Sequence, residues 1–73
     1  MSAIHKHRRI LGEAVRATRK LAGFSQEKLA EKADLSAVFI SRIERGVESP
    51  SVDNLVKIAK ALRVRMRDLV DGF

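Results

Sequence analysis

Three groups of residues in this chain are chemically equipped: a serine and a lysine one helical turn apart, a pair of histidines, and arginines set among serines and one glutamine. Ser25-x-x-Lys28 has the spacing of the serine–lysine pair of penicillin-recognising enzymes, but there the pair sits in a far larger domain with further motifs that this chain lacks. His5 and His7 have no third ligand, and cysteine is absent, so no metal or other cofactor is expected. A glycine-rich phosphate loop is also missing. The chain is therefore not expected to be an enzyme. What remains is recognition by hydrogen bonding and positive charge.

The charge points the same way. Fifteen Lys and Arg against nine Asp and Glu give a formal charge of +6, which favours a polyanionic partner such as nucleic acid. Lys6, Arg8, Arg9, Arg16, Arg19 and Lys20 crowd the first segment, and Lys57, Lys60, Arg63, Arg65 and Arg67 the last. Taken singly, each reads as part of a solvated helix face. The aromatic residues are only Phe24, Phe39 and Phe73, too few for the stacking platforms that bind single strands. No apolar run approaches the ~20 residues needed to span a bilayer, and MSAIHKHRR lacks the hydrophobic core of a signal peptide. A cytoplasmic protein is expected, without membrane contact or a small-molecule ligand.

At 73 residues the chain makes one domain with an aliphatic core. Leu11, Val15, Thr18 and Ala22 mark one face of a first helix from about residue 7 to about 22, stopped by Gly23. Ser25 occupies an N-cap position before QEKLAEKA, whose inward residues are Leu29, Ala30 and Ala33. Asp34 suits a turn residue with positive φ. Ser36 then caps a third helix with Phe39, Ile40 and Ile43 inward, ending at Gly46. Ser51 caps a fourth, with Asp53 in its first turn and Leu55, Ile58, Ala59 and Leu62 buried. MRDLVDGF supplies a last short helix with Met66, Leu69 and Val70 inward. The expected fold is all-α, a five-helix bundle over residues 7–73 behind a flexible basic arm, residues 1–6.

Two short helices joined by a tight turn, the later one capped by serine, have the layout of a helix-turn-helix over about residues 25–45. Leu11-Gly12, Arg19, Ser25-Gln26, Leu29-Ala30, Ser36, Ile40-Ser41, Ile43-Glu44-Arg45-Gly46, Pro50-Ser51 and Ile58-Ala59-x-Ala61-Leu62 occur in order. In these elements the sequence resembles the Cro/C1-type (lambda-repressor-like) helix-turn-helix family of phage repressors and small bacterial regulators, over residues 11–70. The resemblance implies a five-helix bundle whose third helix enters the major groove of double-stranded DNA.

It also implies residue roles. Ala37, Val38, Ser41 and Arg42 match positions that face base edges. Many relatives carry polar residues at the first two; Ala and Val can instead pack on a thymine methyl, and Arg42 can form a bidentate pair with guanine. Arg19 and Glu44 match a structural ion pair. The implied phosphate-binding set is Arg19, Ser25, Gln26, Ser36, Arg45 and Ser49, with Ser51 near the same loop. Gln26 has an independent basis as well, because a helix N-terminus attracts anions. The basic stretch HKHRR, residues 5–9, is placed to follow the backbone or enter a minor groove.

A domain of this size contacts few base pairs, so a homodimer on a two-fold operator is expected. Val52, Val56, Val64, Met66, Val70 and Phe73 exceed what one buried stripe requires and are the candidate dimer interface. The resemblance gives a transcriptional regulator, a repressor or controller. The alternative is a helix-turn-helix that binds protein, such as an antitoxin or bridging factor, for which the apolar tip Ala37-Val38-Phe39 is the sequence support.

Overall fold

The computed structural model describes residues 5–73 and contains five α-helices: α1 (Lys6–Leu21), α2 (Gln26–Ala33), α3 (Ala37–Glu44), α4 (Val52–Leu62) and α5 (Met66–Val70). Serines set three of the helix starts. Ser25, Ser36 and Ser51 are extended, and their Oγ atoms accept from the backbone N–H of Lys28, Phe39 and Asn54 at 2.9, 3.0 and 3.1 Å. Each satisfies a donor that the helix itself leaves open, worth about 1 kcal/mol. At α5 the Asp68 carboxylate accepts from the Arg65 N–H at 2.9 Å instead.

The first four helices end by one device. Gly23, Asp34, Gly46 and Arg63 each take positive φ, from 58° to 78°. The next residue then reaches back: Phe24 N–H to Arg19 O, Leu35 to Ala30, Val47 to Arg42 and Val64 to Ala59, at 2.9 to 3.1 Å. This is the Schellman arrangement, which turns the chain sharply while pairing carbonyls at the helix end. Asp34 takes the conformation its side chain tolerates. Arg63 has no such preference and is held by its neighbours' backbone bonds.

α1 packs on α3 and α5, α2 on α3 and α4, and α4 on α5. Leu11, Val15, Leu29, Ile40, Ile43, Leu55, Ile58, Leu62 and Leu69 fill the centre with three alanines, and Phe24 and Phe39 lie at its margin. A fully buried Leu, Ile or Val contributes roughly 1.5 to 3 kcal/mol by leaving water. α3 is thus gripped by α1 and α2, its inner side spent on the core.

Two details depart from the sequence expectation. Ala22 is exposed, because the buried stripe of α1 continues from Val15 to Arg19, four residues on. Of the anticipated arm, residues 1–4 lie outside the described residues and Lys6 already belongs to α1, whose first turn, Lys6 to Arg9, begins one residue before the expected start at about residue 7. That turn is packed: the rings of His7 and Phe73 meet edge-on at 6.0 Å, and the backbone of Arg9 lies against Gly46. In α5 the expected inward set is present: Leu69 is fully buried, and Met66 and Val70 are half-buried against the core.

Candidate nucleic-acid interface

α3 has only eight residues, and its two sides are chemically distinct. Ile40 and Ile43 are fully buried, whereas Val38 is 69% exposed, Arg42 is exposed, and Ala37 and Ser41 are half-buried. Side chains three and four apart share a helix face, so Ala37, Val38, Ser41 and Arg42 form one outward strip. The oily start of the helix is therefore open to an external surface.

What holds this strip in place is a polar junction of three helices. Arg19 Nε donates to Glu44 Oε2 at 2.6 Å and its Nη2 to Oε1 at 3.0 Å, while Nη1 donates to the Phe24 carbonyl at 2.8 Å. Gln26 Nε2 donates to the same Glu44 Oε1 at 3.0 Å. Arg19 belongs to α1, Gln26 opens α2 and Glu44 closes α3, so one carboxylate ties the three together. Only 3% of the Glu44 side chain is exposed. A bidentate guanidinium suits this role because its rigid fork satisfies both carboxylate oxygens. The hydrogen bond to Glu44 and its negative charge raise the Arg19 pKa, against the opposing effect of burial.

Beside the junction lies a shallow cleft of about 300 Å³ lined by Arg16, Arg19, Lys20, Gln26, Ser41, Glu44 and Arg45. Arg19 neutralises Glu44, and Arg16, Lys20 and Arg45 have no acidic partner among the described residues. The cleft is accordingly cationic, and the amino end of α2, with its unpaired N–H groups, opens onto it through Gln26. Ser25 and Ser36 are exposed, and their hydroxyl protons remain available after capping. Arg45 and Ser49 are exposed on the loop that follows α3.

The structure therefore brings together Arg19, Gln26, Ser41, Glu44 and Arg45. Arg16 and Lys20, noted in the sequence as part of the basic first segment but not as site residues, join them; their signal was an i, i+4 basic pair flanking Arg19. Glu48, half-buried on the loop after α3, also comes to this face. In the structure its Oε1 accepts from Arg42 Nε at 3.1 Å. The candidate interface residues toward the C-terminus divide in two. Val52 and Phe73 are 68% and 61% exposed and Val56 is half-exposed, whereas Val64, Met66 and Val70 pack against the chain's own core.

Among the described residues no His, Cys, Asp and Glu group could hold a metal ion, and no helix is long and apolar enough to cross a membrane.

The chain has clear relatives. Control protein C.BamHI of Bacillus amyloliquefaciens is 48% identical over 65 residues, which cover 88% of this chain and 80% of that protein. The crystal structure of the restriction-modification controller protein C.AhdI of Aeromonas hydrophila superposes with a TM-score of 0.83 at 34% identity, over 85% of this chain and 94% of that one. The P22 c2 repressor, crystallised with synthetic operator 9T, superposes with a TM-score of 0.79 at 35% identity, over 86% and 96%. Other relatives are longer, and of three of them the chain spans only 38 or 42%. The model of the family described as helix-turn-helix matches residues 15–69, and on these likenesses the chain belongs to the helix-turn-helix family of Cro- and C1-type proteins.

Proposed function

We propose that this protein is a sequence-specific double-stranded DNA-binding transcriptional regulator that occupies an operator as a homodimer, with α3 in the major groove. The observation that carries the reading is the exposed strip of α3 held beside a cationic cleft by the Arg19–Glu44–Gln26 junction. It works by binding, not by catalysis, and acts in the cytoplasm where the DNA lies. Relatives that are restriction-modification controllers, and a repressor crystallised on its operator, support the same reading.

Each group of residues has a role. Val38 and Ala37 pack on thymine methyls, and Ser41 and Arg42 supply polar contacts, Arg42 to guanine O6 and N7. Arg16, Lys20, Arg45, Ser25, Gln26, Ser36 and Ser49 contact phosphate and fix the register. Arg19 contributes there with the donors that Glu44 and Phe24 leave over. The Cα extents are 33 × 23 × 22 Å, so the longest dimension of one copy is close to one turn of duplex, roughly 34 Å. Two copies on successive turns supply the specificity that one cannot. Val52, Val56 and Phe73 lead the proposed dimer contact, with the partly exposed edges of Val64, Met66 and Val70 behind them.

The test is selection of bound duplexes from a random pool, followed by titration of the selected duplex and a scrambled one across salt. A DNA reader yields a two-fold motif and loses affinity steeply as salt rises. The exposed Val38 also favours a second reading, an α3 that docks on protein as in an antitoxin or bridging factor. That reading requires weak binding with no preference for any duplex.

A further inference from the structure

Arg42 is anchored before any ligand arrives, and the anchor is built into the way α3 ends. Gly46 takes φ 77°, its N–H donates to the Ile43 carbonyl at 3.0 Å, and the Val47 N–H donates to the Arg42 carbonyl at 3.1 Å. This folds the chain back over the last turn of α3. Glu48, six residues beyond Arg42, is thereby set beside it, and its Oε1 accepts from Arg42 Nε at 3.1 Å. Both backbone bonds belong to the Schellman turn, which sets the direction in which the chain leaves α3 just before Glu48.

The contact occupies one edge of the guanidinium and leaves the other open. The described hydrogen bonds place no partner on either Nη of Arg42, whereas Nε is taken. The two Nη groups form the outer fork, which matches the paired acceptors O6 and N7 on the major-groove edge of guanine. An arginine without this brace would present several edges and would be drawn to the nearest phosphate. Glu48 opposes both, since it fixes the side chain through Nε and its negative charge disfavours approach of a phosphate to the same spot.

We propose that Glu48 is a positioning residue for base readout: it holds Arg42 so that the outer fork faces the groove floor and makes Arg42 a reader rather than a phosphate clamp. The inference rests on the assignment of Arg42 to base readout. It gives an acidic residue at a DNA-facing loop a purpose that charge attraction alone does not supply.

The experiment is a double-mutant cycle on the full chain with Arg42→Ala, Glu48→Ala and the double variant, plus Glu48→Gln, which keeps an acceptor oxygen. Affinity is measured for the selected duplex, for duplexes changed one base pair at a time, and for a scrambled duplex. Thermal unfolding of each variant confirms folding. Discrimination at the Arg42-dependent base pair is expected to fall roughly three- to tenfold in Glu48→Ala, a part of what a bidentate arginine–guanine pair supplies. It falls less in Glu48→Gln, and in the Arg42→Ala background Glu48→Ala changes it no further. Binding to the scrambled duplex tightens when the carboxylate is removed. Unchanged discrimination in Glu48→Ala overturns the proposal, as does an equal loss with and without Arg42. If Arg42→Ala alone leaves every base preference intact, the assignment of Arg42 as a reader fails, an outcome that the single variant separates from a failure of Glu48 alone.

Discussion

Gly12 of α1 and Glu44 of α3 meet backbone to backbone: a Cβ on Gly12 would stand 2.8 Å from the Glu44 carbonyl oxygen and closer still to that of Ile43. No side chain fits between the helices at this crossing. The close approach lets Arg19, two turns further along α1, reach the Glu44 carboxylate.

Gly12→Ala must push α1 away from α3. The favourable helix propensity of alanine, about 1 kcal/mol, offsets part of the overpacking, leaving a net destabilisation of up to about 2 kcal/mol. Urea unfolding reads it as a lowered midpoint with unchanged slope. A more stable variant would mean that the crossing is loose.

Breaking the polar junction costs more. Arg19→Ala or Glu44→Ala leaves a buried charge unpaired, a loss of about 3 to 5 kcal/mol, and Arg19→Lys recovers little of it because an ammonium cannot fill the planar site. Chemical denaturation compares the three. The pKa of Arg19 is raised, so its contribution is complete at every pH below the ordinary arginine range and is lost only as pH rises through the still higher folded value. The Arg19→Ala penalty is therefore the same at pH 6 and pH 8 to the extent that it depends on this group.

Gly23 and Gly46 both take positive φ, but only one is crowded. A Cβ at Gly23 would meet nothing within 4 Å, whereas at Gly46 it would lie 3.3 Å from Arg9 Cα. Gly23→Ala should cost about 1 kcal/mol for the backbone conformation alone, and Gly46→Ala more. Thermal midpoints settle the order, and equal losses would show that the Arg9 contact yields freely.

Much of this architecture could be read before any coordinates. The serine caps at 25, 36 and 51 announce themselves because a hydroxyl ahead of an apolar-periodic run has one obvious use. Asp34 was legible as a left-handed turn residue for the same kind of reason. Arg63 was not, since nothing in an arginine side chain favours positive φ and only the surrounding bonds hold it there. Arg19 interrupts the apolar stripe of α1, so periodicity alone reads it as surface, and its pairing with Glu44 came only from the family resemblance. The Arg42–Glu48 contact was hidden because it depends on how Gly46 turns the chain, which charge and spacing do not encode.

Val56→Glu tests the assembly. Val56 lies one turn beyond the exposed Val52 on the outer face of α4, so a carboxylate there should shift a dimer toward monomer without unfolding it. Sedimentation gives the mass, and operator affinity should fall at least about tenfold as paired half-site binding is lost. Substitutions at Val70 or Met66 act differently, lowering stability because these residues pack on the core.

Contact between the outer strip of α3 and the major-groove edges of DNA is open to direct observation. Amide and side-chain chemical shifts followed during titration with the selected duplex test it most directly. The largest changes are expected at Ala37, Val38, Ser41 and Arg42, flanked by smaller ones at Arg16, Lys20 and Gln26. Changes confined to α4 and α5, with Val38 and Arg42 unmoved, would contradict it.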